Sequence, residues 1–165
     1  MSAHVATMTI TADPLALLDL TFDPELGALL DAMPEEGWWW QAAYMLHEVP
    51  AWSAIFLHDV ISGVDGRGFP WVVCGNRRTA RWFQVFGEPE ACTVELSVPG
   101  ITNDMMVLGI PGGGSERIKV YGGEHILVVE RRQVLTLAAA HLALDSWVLG
   151  PGTVPEGFDA VRVHN

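Results

Sequence analysis

Between Trp38 and Glu130 the sequence is broken into short apolar and aromatic runs by turn-forming clusters. The runs fall near 38–47, 52–60, 69–75, 79–86, 93–98, 104–110, 116–121 and 125–130. The breaks include Val64-Asp65-Gly66-Arg67-Gly68 and Pro111-Gly112-Gly113-Gly114-Ser115. Spacing this short and regular predicts strands joined as antiparallel hairpins or a meander. Helical patterns flank them. Asp23 is a good N-cap, Pro24 suits the first helical position, and Leu26, Leu29, Leu30 and Met33 make one apolar face before Pro34 stops the chain. Upstream, 8–12 and 15–21 read as short strands, though Leu15 to Leu18 also fits a helical turn.

Residues 131–147 are rich in alanine and leucine and contain no glycine or proline. They predict a helix with Val134, Leu135, Ala138, Leu142 and Trp147 toward the sheet, ended by Gly150-Pro151-Gly152. A last strand is expected near 158–163. The expected class is α+β: an antiparallel multi-stranded sheet with an N-terminal and a C-terminal helix packed on it, in one domain over 1–165. At 165 residues, half of them apolar, the chain can bury a core without metals or disulfides.

Charge is unevenly placed. The first basic side chain is Arg67, and ten acidic ones precede it, so residues 1–66 carry −10 of the net −11. Residues 67–165 hold nine basic and ten acidic side chains and contribute −1. Such a field repels nucleic acid and anionic membranes, attracts basic proteins, and keeps an apolar protein dissolved. No apolar run is long enough to span a bilayer, and Met1-Ser2-Ala3-His4 lacks a basic or apolar leader pattern. Cys74 and Cys92 are read as reduced thiols. A cytoplasmic protein is expected, as a monomer or homodimer.

Catalytic signatures are absent. Gly112-Gly113-Gly114-Ser115 has no P-loop lysine and leads from one strand run into another, so it reads as a hairpin loop. No serine sits in a G-x-S-x-G context. The six histidines show no metal-ligand spacing, and His141 reads as a core histidine of the C-terminal helix. If 38–47 and 52–60 form a hairpin, the pairs His47-Glu48 and His58-Asp59 can approach only across its far ends. Arg77, Arg78 and Arg81, beside Trp82 and Phe83, are too few for a nucleic-acid site on an acidic protein and are expected to balance acidic neighbours. No metal, cofactor or catalytic residue is expected.

What remains is an interaction surface. In an extended chain Trp39 faces away from Trp38 and Trp40, so each side must be covered by the fold or offered to a partner. Tryptophan is enriched in binding hot spots, and Glu35 and Glu36 stand just before the run. The candidate partner-binding residues are Glu35, Glu36, Trp38, Trp39, Trp40, Glu48, Asp59 and Asp65.

The order of elements resembles the Imm1-type immunity proteins of bacterial polymorphic toxin systems. Three parts carry the likeness: Asp23 to Asp31 as an opening helix, a middle run of short strands rich in Trp and Gly, and Val134 to Trp147 followed by Gly150-Pro151-Gly152-Thr153-Val154-Pro155. The resemblance implies a small α+β inhibitor that binds a cognate protein toxin, often one with a basic cleft, and needs no catalytic residue. The alternatives are a small-molecule binding domain or minor enzyme with a Trp/His-lined pocket, and a homo-oligomer joined through exposed Trp.

Overall fold

The computed structural model describes residues 37–51, 54–97, 104–150 and 154–164. The helix expected over 23–33, the runs at 8–12 and 15–21, and Glu35 and Glu36 lie outside them.

The described strands are β1 (Trp38–Ala42), β2 (Val49–Pro50), β3 (Trp71–Asn76), β4 (Arg81–Glu88), β5 (Ala91–Ser97), β6 (Asp104–Gly109), β7 (Arg117–Gly122), β8 (His125–Glu130) and β9 (Asp159–His164). Seven form one sheet in the order β2-β1-β3-β4-β5-β6-β9, and β7 and β8 form a separate hairpin. Every described pairing is antiparallel. The described helices are α1 (Ala54–Ser62) and α2 (Leu137–Leu149). The α+β class and the antiparallel sheet stand as expected, and most strands lie within a few residues of their expected runs.

Four expectations change. The run at 52–60 is the helix α1 rather than a strand. Leu57 and Ile61, four residues apart on α1, are almost wholly buried, with Phe56 and Val60 packed at their flank. That spacing is the 3.6-residue period, and burying a helical stripe outweighs the strand preference of the β-branched residues. The run at 38–47 ends at Ala42, because Tyr44 takes a φ of 69° and turns the chain toward β2.

The C-terminal helix starts at Leu137, not at 131. Arg131–Gln133 form a 3-10 turn, Leu135 bridges to Cys92, and Thr136 caps α2 by accepting from the Ala139 N–H at 3.3 Å. Leu135 and Trp147 are buried as expected, but Ala138 is exposed and Leu142 is 65% exposed. Ala140, Ala143, Leu144 and Val148 face the sheet instead. Finally, the glycine run at 112–114 is not a hairpin loop. It connects β6 of the main sheet to β7 and docks on the 3-10 turn, where the Arg132 N–H donates to Gly114 O at 2.9 Å.

Both described helices cover one face of the sheet. Trp38, Cys74, Phe83, Val85, Val94, Leu96 and Leu108 form the core there with Leu57, Ile61, Leu144 and Trp147. Trp147 stands edge-on to Trp38 at 5.9 Å and tilts against Phe83 at 5.4 Å.

Candidate functional site

Strand alternation sends every second residue to the face away from the helices. Trp39 pairs with Gly75, which pairs with Trp82, so the two indoles flank a glycine. A Cβ on Gly75 would come within 2.6 Å of the Trp39 ring. The glycine therefore lets the indole lie down on the sheet. The next row is Gln41, Val73, Gln84, Glu95 and Val107, and the one beyond holds Trp71, Phe86 and Thr93. Trp39, Trp71 and Trp82 are all half-buried.

The β7–β8 hairpin folds over one end of this outer face. Val120 is buried, and Phe86 lies so close to Gly122 that a side chain there would strike its ring. Between hairpin and sheet runs an open groove of about 570 Å³, lined by Trp71, Val73, Gln84, Phe86, Glu95 and Met105 from the sheet and His125, Ile126 and Leu127 from the hairpin. Glu95 is only 9% exposed. The Gln84 amide donates to its Oε2 at 3.2 Å. Burial pushes the Glu95 carboxyl above its ordinary value, and no positive side chain of the described residues offsets that.

Among the described residues, the candidates read from the sequence do not form one patch. Trp38 is 6% exposed and belongs to the core. Trp40 shares its face and packs edge-on to Phe56 at 6.0 Å. Trp39 faces the other way, as alternation requires. Glu48 accepts from Arg77 at 2.5 Å in an exposed pair. Asp59 is exposed on α1. Asp65 accepts the N–H groups of Arg67 and Phe69, both at 2.8 Å, and these bonds hold its carboxyl below the ordinary value. It is a loop organiser. The sequence reading missed Trp71, Trp82 and Glu95 as members of the outer face.

The arginine cluster also divides. Arg77 does balance an acid, Glu48, but Arg81 binds carbonyls: it donates to Trp147 O at 3.4 Å and Gly150 O at 3.1 Å. Cys74 and Cys92 are free and buried, and burial pushes the Cys92 thiol up to about 12.

A second polar cluster joins the helices. Asp145 Oδ1 lies 2.6 Å from His58 Nε2, the two Nδ1 atoms of His58 and His141 are 2.8 Å apart, and Ser62 Oγ is 3.2 Å from His141 Nε2. His141 with Asp145, and His58 with Ser62, are i,i+4 pairs on facing helices. His141 is thus a bonded histidine at the helix interface, and His58 meets α2 rather than His47. In order, the chain acid–imidazole–imidazole–hydroxyl resembles a relay to a nucleophile. However, the N–H groups after Ser62 are occupied: Gly63 donates to Val60 O and Val64 to Ile61 O. They cannot serve a developing oxyanion. The cluster acts as a clasp between α1 and α2.

Among the described residues no group of three His, Cys, Asp or Glu side chains is placed to hold a metal ion, and no helix is long and apolar enough to cross a membrane. No protein-family model and no curated protein matches the chain.

Proposed function

We propose that this chain is an immunity-type inhibitor that binds a cognate basic protein, of the toxin class, through the sheet face opposite the helices. The observation that carries the reading is the placement of Trp39, Trp71 and Trp82 on a face that no described helix covers. Half-buried tryptophans in a sheet are rigid, lose little side-chain entropy on docking, and are the residue type most often found at the centre of tight interfaces. The −10 charge of residues 1–66 supports a basic partner, whose encounter such a field accelerates. The N-terminal helix over 23–33, Glu35 and Glu36 enter this reading as sequence expectations, and so does the cytoplasmic location.

The experiment is co-expression with the product of the neighbouring reading frame. A toxic neighbour should be neutralised and should co-purify. The dissociation constant should rise with ionic strength, because salt screens the carboxylates. Trp39→Ala and Trp82→Ala should each weaken the complex by about thirtyfold, the cost of losing a hot-spot side chain of ~2 kcal/mol. A complex indifferent to both substitutions and to salt would remove the proposed face.

A further inference from the structure

We propose that the groove between the outer sheet face and the β7–β8 hairpin receives an arginine side chain of the partner, with the Glu95 carboxylate as its counter-ion. This assignment rests on the reading of the outer face as a docking surface and names the chemistry of its anchor.

A carboxylate is seldom buried without a positive partner, because removing it from water costs more than a neutral hydrogen bond returns. Glu95 meets that cost with one described donor, the neutral Gln84 amide. Its site is also not a sealed core position, since Glu95 lines a groove open to solvent. A group arriving from outside can therefore reach it. The walls specify what kind of group. Trp71 and Phe86 offer aromatic surface, and Met105 and Leu127 offer apolar surface, on which an aliphatic stem can lie. An ammonium is strongly hydrated and gains less from such walls. A guanidinium is planar, weakly hydrated, stacks on aromatic rings and can donate two parallel bonds to one carboxylate. The Gln84 amide, held on the neighbouring strand, fixes the orientation of the carboxylate that would receive them.

The probe is N-acetyl-arginine amide, compared with the citrulline counterpart of nearly the same shape and no charge. The Trp71 indole signal is followed in ¹⁵N spectra and assigned with Trp71→Phe. The arginine probe should shift that signal saturably, with roughly millimolar affinity. The citrulline probe should bind at least about tenfold more weakly, because its neutral head cannot make the charge-assisted pair. Glu95→Gln should abolish the difference and Glu95→Asp should keep part of it. Equal binding of the two probes to the unaltered chain, or no saturable shift, would overturn the assignment without reference to any variant. In the complex with the neighbouring toxin, Glu95→Gln should weaken binding at least about tenfold. If Trp39→Ala weakens the complex and Glu95→Gln does not, the groove assignment fails and the docking face stands. If neither does, the docking face fails.

Discussion

His58 on α1 and His141 on α2 face each other Nδ1 to Nδ1 across 2.8 Å, with their ring planes 13° from parallel. A bond between two such nitrogens holds one proton, so the pair is intact only while one imidazole presents a lone pair. A second proton would set two N–H groups head to head.

The consequence is a pH-dependent stability. Burial, then the adjacent His58 charge, lowers the His141 pKa, and Asp145 and Asp59 oppose them. A base with a depressed native pKa binds fewer protons folded than unfolded near that pH. Its contribution is fully present above the unfolded value of about 6.5 and is lost as pH falls through the native value. Melting temperatures taken from pH 8 to 5 should therefore decline below about 6.5. His141→Gln should flatten the decline and cost about 1 kcal/mol at neutral pH through the lost pair. A parallel decline in the variant would refute the assignment.

Glu95 should behave in the opposite sense. Burial raises its native pKa, so the folded chain binds more protons than the unfolded one above the ordinary carboxyl range. Its effect on stability worsens as pH rises through that window. Glu95→Gln keeps the shape and the Gln84 contact and removes the buried charge. At pH 7 it should raise the melting temperature by about 2–4 °C, the shift that ~1 kcal/mol gives in a chain of this size. Stabilisation together with lost arginine affinity is the expected trade for a residue kept for binding. A lowered melting temperature would mean that the carboxylate is structurally needed.

Gly75 is the third test. A Cβ there would meet the Trp39 ring at 2.6 Å and the Arg81 carbonyl at 2.7 Å. Gly75→Ala must lift the indole from the sheet or push β4 away. It should cost about 1–3 kcal/mol in denaturant unfolding, as overpacking does, and should change the near-ultraviolet circular dichroism. An unchanged unfolding midpoint would show that Trp39 does not rest on the glycine.

The sequence made the β meander legible because turn residues and strand runs are local signals. The split of Trp38 to Trp40 between two faces was legible for the same reason, since it follows from a two-residue period. Helix α1 reads as a strand because its β-branched and aromatic residues resemble one, and its buried pair Leu57 and Ile61 straddles the expected end at 60. The site was less legible. Glu95 looks like an ordinary solvent-facing residue of β5 until a hairpin folded from 117–130 closes over it. His58 and His141 lie 83 residues apart, so no spacing rule joins them. Glu48 and Asp65 contribute to the acidic charge, yet the fold engages one with Arg77 and the other with its own loop.

Arg81 shows how far a basic residue's role depends on the fold, and it supplies the last test. It sits at the start of β4, 9% exposed, with its guanidinium carbon 5.1 Å from the centre of the Trp147 ring. From there Nη1 donates to the Trp147 and Gly150 carbonyls, where the last turn of α2 leaves acceptors without helical partners. The positive charge also stands at the negative end of the helix dipole. Arg81→Met retains an aliphatic stem and removes the guanidinium, with its bonds to the two carbonyls and the Nε bond to Thr79 Oγ1 at 3.2 Å. It should cost about 1.5–3 kcal/mol in denaturant unfolding, the range for hydrogen bonds to a charged group. Arg81→Lys keeps the charge but not the planar stacking over the indole, and should fall between the two. A Met variant as stable as the parent would mean that the end of α2 is held by the packing of Trp147 alone.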